Sequence, residues 1–215
     1  MHQREATVRV LLVNTPHYFR VYKLAALVQT PMTPPSYVGI TFLRGDARKL
    51  ADQFIMRTTA GPYVHTEFFL QRGNDFRYYC AVNVHPSGGL LPSGRTCGPP
   101  DPANWDVVRF PVSPAVYTSM YALVLQLLSM RLPYNARDLW QCCIPALLPF
   151  EKDVDCQQVE TWRHSGVFCS QLCLLLLRRL ALSGAILLPR RTAELVSTTN
   201  SRGCSPNTLH RMLLP

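Results

Sequence analysis

The most apolar stretch of the chain, 167–189, reads VFCSQLCLLLLRRLALSGAILLP, and it limits what the protein can fold into more than any other feature. Arg178 and Arg179 stand near its middle, where a membrane-spanning helix tolerates charge least. The run therefore predicts a buried helix over about 169–180 followed by a strand. At 215 residues the chain is long enough to bury such a helix within a single core.

Hydrophobic residues make up 47% and charged residues 16% of the sequence. That is the balance of a globular protein rather than a disordered one. A net charge of +9 and a pI near 9.4 favour acidic partners: phosphate backbones, anionic lipid headgroups or an acidic protein. The basic residues come as short pairs, Arg178-Arg179 and Arg190-Arg191, without the aromatic interleaving of an RNA-binding platform. No nucleic-acid partner is expected. The eight cysteines do not sit in a short secreted framework, and the apolar run in MHQREATVRVLLVN is too short for a signal peptide. Reduced thiols in a cytoplasmic compartment are the expectation.

Along the chain, VRVLLVN at 7–13 reads as a strand, and a proline-bearing stretch ends at 36. Residues 1–36 thus form an extension and 37–215 the main domain. YVGITFL at 37–43 alternates and is rich in β-branched residues, so it reads as a strand. Asp46 then stands where it can cap a helix over 47–59. Residues 63–71 and 76–84 read as a hairpin around the turn RGND, and 86–104 as a long loop. WDVVRFPV at 105–112 reads as a further strand. Apolar residues recur at helical spacing over 113–130, with Ser113 as cap and Pro114 in the first turn. The proline-punctuated segment 131–155 predicts short helical turns, and Ser205-Pro206 opens a closing helix. The class is α+β, with a central antiparallel sheet and the Cys169 helix packed on one face.

Cys169 would stand at the N-terminus of its helix, where the dipole and unpaired amides stabilise a thiolate. Period two puts His65, Glu67 and Phe69 on one face of their strand. A base histidine needs one ring nitrogen toward the thiol and the other held by an acceptor, which Glu67 could supply. The residues alone leave open a small buried cysteine in an apolar helix and a strand whose polar side faces water. There is no G-x-S-x-G, no phosphate loop and no H-E-x-x-H. Cys142, Cys143, Cys156, His164, Cys169 and Cys173 are close in sequence, but without a C-x-x-C pair they predict neither metal nor cofactor.

The order of YVGI, YVHTEFFL, YYCAV, W-x-x-V, RLPYNARDL and GVFCSQL resembles the circularly permuted NlpC/P60 proteins of the papain-like superfamily, over roughly 37–212. Viral and bacterial permuted members look most similar, especially in the H-x-E strand and the F-C-S-Q helix start. The resemblance implies a thiol hydrolase or acyl-transfer enzyme acting on an amide, peptide or thioester bond. It implies Cys169 as nucleophile and His65 as base, with Ser170, Gln171 and Tyr134 shaping the oxyanion site or cleft. Cys80 occupies the position where many members carry an orienting residue. Glu67 is therefore the choice for the third role, and Asn83 the alternative. The competing expectation is an inactive papain-like module that uses the same cleft and its basic surface to bind an acidic protein or membrane headgroups.

Overall fold

Alternation in YVGITFL and in the paired segments YVHTEFFLQ and FRYYCAV produces the framework of the protein. In the computed structural model, which describes residues 34–82, 89–92, 99–144 and 152–214, five strands form one antiparallel sheet. They are β1 (Ser36–Arg44), β2 (Tyr63–Arg72), β3 (Asp75–Val82), β4 (Gly89–Pro92) and β5 (Trp105–Val112), in the order β4-β3-β2-β1-β5. The class is α+β, as expected. Between β2 and β3 the loop is only Gly73-Asn74, and Gly73 has φ +58°, a left-handed conformation that tight hairpins need and glycine adopts without strain.

One face of the sheet carries Val38, Ile40 and Phe42 of β1 with Phe68 and Leu70 of β2, all fully buried. Two helices share a core with them: α2 (Pro114–Ser129), capped by Ser113, and α5 (Cys169–Leu182). Only Arg179, Ala181 and Leu182 of α5 escape burial, which is why its sequence lacks a polar face. Arg178 is tolerated inside because every part of its guanidinium is used. It donates to the carbonyls of Val196 and Thr199 and pairs with Asp153 at 2.9 Å.

Several expectations need correction. The strand expected after α5 is absent: residues 183–189 form a turn and irregular chain leading into α6 (Arg190–Thr198). β4 lies inside the stretch expected to be loop. The first helix, α1 (Leu50–Thr58), begins later than expected, with Lys49 at its cap. Asp46 is engaged instead in a turn, accepting from the backbone and guanidinium of Arg48. The segment 131–155 does contain a short helix, α3 (Ala136–Cys143), and a further one, α4 (Val159–Ser165), precedes Cys169. The strand expected at 7–13 lies outside the described residues.

The first half of β2 carries His65 and Glu67. β3 pairs with β2 only over Phe68–Arg72, so among the described residues no strand pairs with the first half of β2 on that side. A β-bulge between Leu43 and Arg44 also shifts its register against β1. Asn207, in α7 (Pro206–Leu213), stands in for the missing strand. Its Oδ1 accepts from the Tyr63 N–H at 3.0 Å, and its Nδ2 donates to the Tyr63 carbonyl at 2.8 Å and to Thr59 Oγ1 at 2.6 Å. Gly61 is required beside it, since a Cβ there would collide with the Asn207 side chain.

Candidate active site

The chain enters α5 under tight control. Residues 133–135 run beside 165–167 as a short parallel pairing: the Val167 N–H donates to the Pro133 carbonyl at 3.0 Å, and the Asn135 N–H to the Val167 carbonyl at 3.1 Å. The Asn135 side chain adds a bond to the Ser165 carbonyl. Gly166 turns the chain at φ +68°, and a Cβ there would stand 2.8 Å from the Pro133 oxygen. Tyr134, expected at the cleft, pairs with Val167 two residues before Cys169.

Phe168 is the N-cap of α5 and supplies no side-chain acceptor. No side-chain cap therefore claims the first amides of α5, the groups that stabilise negative charge at a helix start. Gln171 reaches back so that its Oε1 accepts from the Phe168 N–H, while its buried Nε2 has no hydrogen-bond partner among the described residues. Ser170 donates through Oγ to the Cys204 carbonyl at 2.6 Å and so ties α5 to the 3₁₀ turn at Ser201–Gly203.

Cys169 is the first residue of α5 and is 2% exposed. Burial pushes its thiol above the usual range, and the nearby polar groups of Thr66 and Ser170 act in the opposite direction. Thr66 is the residue between His65 and Glu67. The β2 face that shares a core with α5 carries Thr66, Phe68 and Leu70, so His65 and Glu67 alternate to the other face.

His65 and Glu67 lie opposite Leu43 and Thr41 of β1, on the strand face that alternates with Thr66. Same-face neighbours stand about 6.5–7 Å apart at their Cα atoms. Here His65 Nε2 and Glu67 Oε1 approach to 3.8 Å, so the two side chains lean together. The separation is that of an ion pair rather than a hydrogen bond. The His65 side chain is 23% exposed and that of Glu67 7%, so the ring reaches solvent while the carboxylate is held inside. Asn83 lies outside the described residues.

Two residues that meet β2 or lie on it, Thr66 and Asn207, escaped the reading of the sequence. Alternation marks Thr66 as a core position, and nothing in its type announces proximity to a thiol. Asn207 carries a weak signal at best, as the second residue of a helix opened by Ser205-Pro206. The six described cysteines, Cys142, Cys143, Cys156, Cys169, Cys173 and Cys204, are free thiols. Among the described residues, no three His, Cys, Asp or Glu side chains converge as metal ligands would. An open groove elsewhere is lined by Lys152, Asp155, Gln158, His164 and Arg202; Cys169, His65 and Glu67 do not border it. No family model, curated protein or solved structure matches this chain.

Proposed function

We propose that the chain is a cysteine-dependent hydrolase or acyl-transfer enzyme of the circularly permuted NlpC/P60 kind, acting on an amide, peptide or thioester bond. The observation that carries this reading is the packing of α5, which Cys169 opens, against β2, the strand on which His65 approaches Glu67. Residue types suited to nucleophilic catalysis lie on these two elements, about a hundred positions apart in sequence.

In this reading His65 takes the Cys169 proton as the sulfur attacks the substrate carbonyl, and the Glu67 carboxylate stabilises the imidazolium that forms. Formation of the C–S bond moves an electron pair onto the carbonyl oxygen. Amides of the first turn of α5 and the unpartnered Gln171 Nε2 are the donors for that oxyanion. Collapse breaks the bond to the leaving group, which takes the proton from His65. Water or a second nucleophile then attacks the thioester, its proton passing to His65, and the thiol is restored.

One observation favours a second reading. Cys169 is closed off from solvent and burial pushes its thiol above the usual range, as suits an inactive papain-like module that binds an acidic protein or a membrane surface. An activated ester separates the two. With p-nitrophenyl acetate, an enzyme gives a burst of p-nitrophenol and an acetyl adduct on Cys169 in the intact mass, and Cys169→Ala gives neither. An unmodified Cys169 together with a rate equal to that of Cys169→Ala would leave the binding module.

A further inference from the structure

The corner between α5 and α6 presents an apolar tip beside unpaired positive charge. α5 ends in a tight turn in which the Gly184 N–H donates to the Ala181 carbonyl and the Ala185 N–H to the Leu180 carbonyl, with Gly184 at φ +69°. Ile186 turns inward and is buried. Its neighbour Leu187 points the other way and is 92% exposed, and Leu182 at the end of α5 is 61% exposed. Single exposed leucines are ordinary. An almost fully solvated leucine held between an inward-facing isoleucine and the rigid Pro189 at the cap of α6 has a fixed outward direction.

Arg190 and Arg191 follow within four residues of Leu187. Both are exposed, and neither has an ion-pair partner among the described residues. The one acid on α6, Glu194, stands a turn further on, beside Leu182, Ala193 and Ser197 in a shallow depression. A protein partner for Leu187 would need a pocket matched to one projecting side chain. A lipid interface needs no such match: it accepts an apolar residue at a convex tip while its headgroups take the flanking arginines. The net charge of +9 adds long-range attraction to an anionic surface.

We infer that the α5–α6 corner docks on an anionic lipid bilayer, with Leu187 entering the headgroup region and Arg190 and Arg191 contacting acidic headgroups. This surface is independent of Cys169 and of the proposed reaction. The test is co-sedimentation of the full chain with phosphatidylcholine vesicles, with and without about 30% phosphatidylserine. Binding is expected only with the acidic lipid and should weaken as salt rises. Replacing both arginines (Arg190→Glu with Arg191→Glu) should reduce it by about 30-fold or more, from about 1 kcal/mol per basic residue near the surface. Leu187→Ser should reduce it by about tenfold. All of these side chains are exposed, so unchanged melting temperatures are expected and confirm that the variants fold. Absence of binding to acidic vesicles, or equal binding by wild type and either variant, would overturn the inference. Capture of polyglutamate through the arginines with no dependence on Leu187 and no vesicle binding would overturn it in favour of an acidic protein.

Discussion

Two buried carboxylates in this protein have opposite kinds of partner. Asp138, at the start of α3, is paired with the Arg202 guanidinium at 2.8 Å and accepts a further bond from the Asn135 side chain. Arg202 in turn donates to the Lys152 carbonyl. Glu67 faces His65, its same-face neighbour on β2, at 3.8 Å. A guanidinium keeps its charge at every pH that leaves the protein folded, so the Asp138 pair is permanent and links segments 64 residues apart. An imidazole changes charge near neutral pH, so the Glu67 pair strengthens only when His65 holds a proton. The first arrangement suits a strut, and the second suits a proton-transfer pair whose charge appears and disappears in each cycle.

This contrast can be broken by substitution. On the Glu67 side, Cys169→Ala should lower turnover by about 10⁴-fold or more while leaving stability nearly unchanged. Wild-type turnover by that variant would place the nucleophile elsewhere. On the Asp138 side the expectation is reversed. Asp138→Ala leaves a buried guanidinium unpaired and should cost about 3–5 kcal/mol in denaturant unfolding, whereas a loss under about 1 kcal/mol would show the pair to be dispensable.

Smaller effects sharpen the picture. Asn207→Ala removes the stand-in partner of Tyr63 and should cost about 1–3 kcal/mol, because the Tyr63 backbone groups are left without their bonds. Turnover should fall with it if this clamp holds β2 against Cys169, and an unchanged rate would separate the clamp from the site. Glu67→Gln should lower the rate by about tenfold and displace the pH limb that belongs to His65, since a neutral amide stabilises the imidazolium less than a carboxylate does. An unaltered pH profile would remove Glu67 from the third role.

The smallest effect concerns acid stability. Burial pushes the Asp153 carboxyl up, but hydrogen bonds from Ser201 and Arg178 outweigh it and hold the group below its ordinary value. The stability from this shift is present above the unfolded carboxylate value, about 3.9. It is lost as pH falls through the lower folded value. Asp153→Asn should therefore unfold with a shallower acid dependence than wild type, and an identical slope would contradict the assignment.

What the sequence made legible was local. Ser113-Pro114 and Ser205-Pro206 mark the starts of α2 and α7 because a hydroxyl cap followed by proline determines a helix start within a few residues. Alternation located β1, β2, β3 and β5, and the apolar run located α5. β4 was illegible because GLLP is too short to show a period among glycines, prolines and serines. Asp46 misled because the same carboxylate can cap a helix or close a turn, and Arg48 decided for the turn. The strand expected over the last part of 167–189 failed because Gly184 ends α5 in a turn and Leu187 faces outward. Residue type and order singled out Cys169, His65 and Glu67 as the candidate site. The Asn207 clamp and the Asp138–Arg202 pair arise from segments joined only by folding, and nothing nearby in sequence signals them.

The central claim is that Cys169 reacts through His65, and mass-mapped alkylation of the native protein by iodoacetamide at neutral pH tests it most directly. Cys169 should be the first thiol modified and should give a single early adduct. His65→Ala should slow that adduct by about tenfold or more, because the thiol then lacks the base that offsets its burial. Earlier modification of Cys142 or another thiol, or a Cys169 rate unmoved by His65→Ala, would contradict it.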